Sequence, residues 1–204
     1  MIGILDYDAG NLKSLSNALA KNNIKHKLVK KPENINNFSH YILPGVGSYP
    51  KAMKNLSERK LDLFIKDISK KNIPLLGICL GMQVLSNYGT ENDKTEGLSL
   101  IEGCVESINS LKPIKNVHVG WNNIFKKKDS KLFENINLNC EFYFVHSYHF
   151  VCKHNEDILC KTNYQNEFTS GIINNNIVGL QFHPEKSHNQ GLMVLKNFYQ
   201  FFNA

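Results

Sequence analysis

Ile73–Ile78 (IPLLGI) is a near-continuous apolar run that ends on Cys79, with Gly77 two residues before the cysteine and Gly81 two after it. A run without polar alternation suits a strand covered on both faces, as at the centre of a parallel sheet between two helix layers. Leu80–Leu85 (LGMQVL) follows at once and reads as a helix. A strand running into a nucleophilic side chain and then a helix, with glycine at −2 and +2, has the spacing of a nucleophile elbow. The glycines allow a tight, strained turn and close approach of neighbouring backbone. A helix N-terminus beside a thiol lowers its pKa and offers free N–H groups to an anion. The competing reading is a buried cysteine in a glycine-flanked turn.

The surrounding pattern supports an α/β chain. Met1–Asp6 (MIGILD) is strand-like and ends in the polar turn Tyr7–Gly10. Asn11 stands where a cap belongs, ahead of Leu12, Leu15, Ala18 and Leu19 at helical spacing. Tyr41–Leu43 is a second apolar run, ending in Pro44-Gly45-Val46-Gly47, and Leu61–Ile68 reads as an amphipathic helix. Beyond residue 140 the strand-like segments crowd together: Glu141–Val145, Ile158–Lys161, Phe168–Ile173 and Ile177–Gln181. Asn174-Asn175-Asn176 forms a hairpin turn between the last two. Leu192, Leu195, Phe198, Tyr199 and Phe202 share one face of a closing helix. Repeated strand–turn–helix units predict a parallel core sheet flanked by helices, extended by antiparallel strands, in one domain over residues 1–204.

Composition excludes several classes. A hydrophobic fraction of 42% with 21% charged residues supports a packed core and excludes a disordered chain. No apolar run is long enough to span a bilayer, and Asp6 and Asp8 interrupt the first apolar stretch, so no signal peptide is predicted. A cytoplasmic location is expected, with no membrane partner. The net charge of +6 is spread over Lys30-Lys31, Lys70-Lys71 and Lys126-Lys127-Lys128, which argues against a nucleic-acid stripe. The five cysteines, Cys79, Cys104, Cys140, Cys152 and Cys160, contain no CxxC pair and are expected as thiols. Neither metal-ligand spacing nor a G-x-x-x-x-G-K-[ST] loop occurs, so no metal or cofactor is expected.

A thiol nucleophile needs a base and a group to orient that base. His183-Pro184-Glu185 follows the strand Ile177–Gln181 directly. In extended chain, residues i and i+2 project to one side, so the imidazole and carboxylate can meet. Joined to the elbow, they make the Cys–His–carboxylate arrangement of acyl transfer. Leu80 N–H and the loop Pro44–Gly47 are candidate oxyanion donors; such a loop is also read as a plain turn. His26, His40 and His154 read as surface residues. His118, His146, His149 and His188 read as supporting or surface residues.

LPGVGSY (Leu43–Tyr49), GICLGMQ (Gly77–Gln83) and QFHPEKS (Gln181–Ser187), in this order and at these separations, resemble the class I (triad-type) glutamine amidotransferases. With ILDY, GNLKS, VGWN, YFVHSY (Tyr143–Tyr148) and a closing GL-x-x-LKNF, the whole chain is most similar to the glutaminase subunits of imidazole glycerol phosphate synthase, the HisH family. The resemblance implies a flavodoxin-like α/β fold. It implies Cys79 as nucleophile on the glutamine amide, His183 as base and then acid, and Glu185 as its orienting group. It implies an oxyanion hole from backbone N–H of Val46, Gly47 and Leu80, and a glutamine pocket lined by Gly45, Gly47, Gln83, Ser147 and Tyr148. It implies transfer of ammonia to a (β/α)8-barrel cyclase in a heterodimer, near Tyr143 and Lys186, making imidazole glycerol phosphate and AICAR for histidine biosynthesis. Such a subunit is expected to gain activity when its partner organises the oxyanion loop. Three departures from the family pattern spare the triad: Asp8-Ala9 in the first turn, Asn116-Val117-His118-Val119 before GWN, and Ser187-His188 after HPEK. They leave open a paralogous subunit feeding amidino-sugar formation in surface polysaccharide or flagellin glycan synthesis, and a free-standing γ-glutamyl hydrolase.

Overall fold

A computed structural model describes residues 1–108, 117–137 and 140–201. The chain runs β1 (Ile2–Leu5), α1 (Leu12–Lys21), β2 (His26–Val29), β3 (His40–Leu43), α2 (Tyr49–Glu58), α3 (Leu61–Lys70), β4 (Leu75–Ile78) and α4 (Leu80–Gln83). It continues through β5 (Tyr88–Gly89), β6 (Thr95–Glu96), β7 (Gly103–Ser107), β8 (His118–Asn123), β9 (Phe125–Lys126), β10 (Glu141–His146) and β11 (Tyr148–Cys152). It closes with β12 (Ile158–Tyr164), β13 (Asn166–Asn174), β14 (Ile177–Leu180) and α5 (His188–Phe201). The main sheet has the order β2-β1-β3-β4-β14-β13-β11-β7-β5-β6. Its first five strands are parallel, and their order is the flavodoxin-like 2-1-3-4-5. From β14 onward the pairing through β13, β11 and β7 is antiparallel, as expected, and β5 then pairs β7 in parallel. β8 and β10 pair apart from this sheet as an antiparallel ribbon.

The parallel strands are apolar on both faces because both faces are covered. Ile2, Ile4, Ile42, Leu76, Ile78, Val178 and Leu180 pack with Leu15, Leu19, Leu195 and Phe198, under α1 and α5. Leu5, Tyr41, Leu43, Leu75 and Ile177 pack with Leu56, Leu61, Ile65 and Ile68, under α2 and α3. Asn11 caps α1 as its position predicts, accepting from Ser14 N–H. Asn174 pairs with Ile177 across a two-residue turn, in which Asn175 takes a φ of 49°. The side chain of Asn176 donates to Ile73 O, and Asn176 O accepts from Leu75 N–H, so the hairpin turn also fixes the start of β4.

Two readings change. α4 stops at Gln83 rather than Leu85, because Leu85 and Ser86 N–H tighten onto Met82 and Gln83 O while Val84 and Leu85 O are taken by Leu98, Leu100 and Ile101 N–H. His40 lies in β3, fully buried against the Phe198 and Tyr199 rings, rather than at the surface. Burial pushes its pKa down to about 4. Phe202 of the closing helix and Asn116 of the segment before GWN lie outside the described residues.

Candidate active site

The elbow forms at the carboxyl end of β4, the edge where open α/β sheets bind ligands. Cys79 has φ 54° and ψ −109°, a conformation costly for any residue with a Cβ. Backbone bonds hold it there: Cys79 N–H donates to Leu180 O at 2.7 Å, and Cys79 O accepts from Met82 and Gln83 N–H. The two glycines are required by contact. A Cβ on Gly81 would stand 1.8 Å from Leu43 O, and one on Gly77 would stand 2.6 Å from Gly81 O. The sulfur lies in a residue only 5% exposed.

β14 is hydrogen-bonded to β4 in parallel register, Leu180 opposite Ile78, so the residues after β14 emerge beside the elbow. His183 Nδ1 meets Glu185 Oε1 at 2.8 Å, with the two side chains 2% and 5% exposed. The pair meets by a different geometry from an extended i, i+2 alternation. His183 is extended, but Pro184–Lys186 forms one 3-10 turn that folds the carboxylate back. His183 N–H donates to Tyr143 O, and Ser187 Oγ donates to His183 O while accepting Tyr143 N–H. Ser187 therefore clamps the His183–Lys186 turn to β10, a contact that nothing in the local sequence announces. Burial alone would push the His183 pKa below 6.5. Interactions with the Cys79 sulfur and the Glu185 carboxylate outweigh it and raise the value to about 10. With Nδ1 committed to Glu185, Nε2 is left without a hydrogen-bond partner and is the nitrogen free to serve the thiol.

A cavity of about 410 Å³ opens over the sulfur. Val46, Gly47, Leu80, Gln83, Ser147 and Tyr148 line it with Cys79, and so does Lys186, which the resemblance put at the partner face. Sequence reasoning missed Glu91, Val117, Val145 and His146, which line it too. Of these, Val145 and His146 sat in the YFVHSY motif and Val117 in the segment before GWN, while Glu91 lay outside every quoted motif. Gly45 lies behind the cavity wall instead: a Cβ there would meet Tyr7 Oη at 2.5 Å and Leu80 Cβ at 2.8 Å, so its bareness lets the loop close on the elbow. Glu91 Oε2 accepts from Tyr49 N–H at 2.6 Å at the start of α2 and is the acidic side chain lining the cavity.

The candidate oxyanion loop is only partly available. Leu80 opens α4, so its N–H is an unbonded helix donor. Gly47 takes a φ of 107°. Val46 N–H, however, donates to Ala9 O at 3.3 Å, which takes one of the three expected donors out of the hole in this arrangement. Ala9 belongs to the turn where Asp8 departs from the family pattern. Asp8 is left-handed, with φ 61°, its N–H bonded to Asp6 and its carboxylate paired with Arg59.

The remaining histidines divide. His118 Nδ1 meets His146 Nε2 at 3.0 Å, and His146 Nδ1 meets Tyr148 O at 2.8 Å. A carbonyl only accepts, so His146 carries its proton on Nδ1 and His118 donates to it. Burial pushes both pKa values down, to about 4 and about 3, so both rings stay neutral. His149 is buried in β11, and His26 and His154 are half-buried, His154 beside Glu102. His188 stacks on Trp121 at 4.6 Å. Val46 and Val117, which line the cavity, and Val119 and Trp121 of β8 are apolar residues left 40–58% exposed. Tyr143 sits opposite Trp121 in the β8–β10 ribbon, with Lys186 Nζ 5.3 Å above its ring.

The family model for class I glutamine amidotransferases matches residues 3–201. A HisH subunit of imidazole glycerol phosphate synthase from Sulfurimonas denitrificans is 42% identical over 206 residues, covering 100% of this chain and 99% of that relative. A HisH 2 subunit from Methanococcus maripaludis is 42% identical over 97% of this chain and 98% of its own length. Among solved structures, PurLQS from Thermotoga maritima superposes with a TM-score of 0.77 at 17% identity, over 98% of this chain and 97% of that one. That likeness speaks for the fold, and the triad geometry and the full-length identities speak for something narrower: the chain belongs to the class I glutamine amidotransferases and, within them, to the HisH family.

Proposed function

We propose that the chain, read as one domain over residues 1–204, is a glutaminase subunit. It hydrolyses glutamine through a Cys79 thioester and supplies ammonia to a partner that makes imidazole glycerol phosphate. The observation that carries this reading is the strained Cys79, which lines the cavity, with the buried His183–Glu185 couple interacting with its sulfur. His183 Nε2 takes the thiol proton as Sγ attacks the side-chain amide carbon. The same proton then goes to the departing nitrogen, ammonia leaves, and a thioester remains. Water, deprotonated by His183, cleaves the thioester to glutamate and restores the thiol. Glu185 holds the ring tautomer throughout. Glu91 gives the substrate ammonium group a counter-charge, and Leu80 and Gly47 N–H face the oxyanion.

The partner is proposed to be a (β/α)8-barrel cyclase, docked on the Val46–Val117–Val119–Trp121 patch with Tyr143 and Lys186 alongside. Ammonia is mostly protonated in water, so release into a sealed partner channel preserves the neutral nucleophile. Val46 is both exposed to the partner and bonded to Ala9 O. Docking there is the lever that frees its N–H, which makes the isolated subunit poorly active. No helix among the described residues is long and apolar enough to cross a membrane, and a cytoplasmic setting is proposed.

The test is Cys79→Ala assayed with the cyclase. Glutamine-dependent synthesis should vanish while synthesis from ammonium salts persists. Loss of both, or of neither, refutes the role given to Cys79. Failure to complement a histidine auxotroph lacking this subunit would refute the pathway and return amidino-sugar formation to the lead.

A further inference from the structure

Gln181 closes β14's approach to the site, yet it lines no part of the cavity and belongs to none of the roles assigned so far. It is fully buried. Its Nε2 points at Cys79 Sγ from 3.6 Å, and its Oε1 accepts from Gln83 Nε2 at 3.0 Å. The direction of these bonds is fixed by a group that cannot be flipped. Gln83 Nε2 also donates to Tyr148 O at 2.8 Å, and a backbone carbonyl only accepts. Gln83 must therefore present N–H to both neighbours. Gln181 must present oxygen to Gln83 and, in consequence, N–H to the sulfur. The backbone of Gln181 is anchored too, its N–H donating to Ser170 O at 2.9 Å.

We propose that Gln181 is a catalytic residue: its side-chain N–H is a fixed donor that holds the Cys79 sulfur as thiolate and aims it at the substrate. The proposal rests on the reading of Cys79 as nucleophile. The sulfur sits between two opposed groups. Val145 O, 3.7 Å away, can accept only from the protonated thiol. Gln181 N–H donates weakly to a thiol and strongly to a thiolate, because a hydrogen bond to a charged acceptor is the stronger one. Without Gln181 the balance around the sulfur tips toward the proton. With it, the S–H bond breaks more readily, the proton passes to His183 Nε2, and the negative sulfur keeps a partner. The donor also restricts the sulfur to one side of the elbow.

The test uses the full chain with two near-isosteric variants. Gln181→Met removes the donor, and Gln181→Glu replaces it with an anionic acceptor. The rate of Cys79 alkylation by iodoacetamide is followed against pH, with Cys79→Ser defining the contribution of the other thiols. The expected order of apparent thiol pKa is wild type, then Met, then Glu. Gln181→Met should cut the thiolate fraction on the acid side of the midpoint about tenfold or more. Coincident profiles for the three folded proteins would overturn the proposal, since a packing role alone does not move a titration. Should either variant unfold, the wild-type chain still decides. The Gln181 side-chain 15N resonance should titrate with the alkylation midpoint, and a flat resonance overturns the contact. If Cys79→Ala leaves glutamine hydrolysis intact, the nucleophile reading falls and takes the catalytic role of Gln181 with it, whereas coincident titrations with Cys79 essential overturn the Gln181 proposal alone.

Discussion

Replacing Gly81 with alanine tests the elbow at its tightest point. The added Cβ would lie 1.8 Å from Leu43 O, a backbone atom at the end of β3 whose strand is registered to β4 with Leu43 opposite Gly77. No side-chain rotation relieves a clash with backbone. Real Cβ atoms stay at 3.0 Å or beyond, so the elbow must retreat by about 1.2 Å, an overpacking strain of about 1–3 kcal/mol. The retreat occurs two residues from Cys79, which is held by a bond to β14 on its other side. A misplacement of about 1 Å costs about a hundredfold in rate, equivalent to about 2.7 kcal/mol of transition-state stabilisation. Gly81→Ala should therefore lower glutamine-dependent kcat/KM about a hundredfold with the partner present. For a domain of this size it should lower Tm by about 2–4 °C per kcal/mol of strain. Calorimetry and steady-state glutaminase assays read both. A Gly81→Ala protein with wild-type Tm and kcat/KM would refute the steric account of the elbow.

Glu185→Gln should move the alkaline limb of the kcat/KM profile to lower pH, since His183 loses the carboxylate that helps raise its pKa to about 10. Because the folded value lies above 6.5, the associated stabilisation is complete below about pH 6.5 and is lost as the pH climbs through about 10; an unmoved limb contradicts the assignment. His40, His118 and His146 have the opposite sign, with folded values of about 4, 4 and 3, so stability should fall as the pH drops from about 6.5 toward 4. His40→Leu should flatten that slope in denaturant melts, and an unchanged slope would remove His40 from the account. Trp121→Ala should weaken cyclase binding by about 2 kcal/mol in titration calorimetry with the catalytic thiol intact; an unchanged Kd would place the docking face elsewhere.

The parallel core was legible because each strand is apolar on both alternations and each helix on one face, as at Ile73–Ile78 and Leu61–Ile68. The elbow was legible because its geometry needs glycines at set offsets. Less visible was whatever depends on distant partners. His40 looked like a surface residue, since nothing local announces that Phe198 and Tyr199 will enclose it. β8 was not singled out as an element, and it is a strand because β10 pairs with it. Val46 N–H was assigned to the oxyanion hole from its motif, and only the fold shows Ala9 O competing for it. Gln181 and Ser187 were quoted inside a motif without a role, because each acts on an atom of Cys79, Tyr143 or His183 that the chain brings near only when folded.

β14 is the last strand in sequence and lies in the interior of the sheet, between β4 and β13. The proposed nucleophile, Cys79, and its proposed base, His183, follow these neighbouring strands, about a hundred residues apart along the chain. Until β14 inserts, β4 has an open edge and the thiol has no base. Insertion therefore joins the two halves of the sheet and arms the cysteine in one event. A growing or partly unfolded chain carries an ordinary thiol without the group that would activate it, so completion of the fold and activation of the thiol become the same transition. Time-resolved labelling of Cys79 during refolding would accordingly report the closure of the sheet.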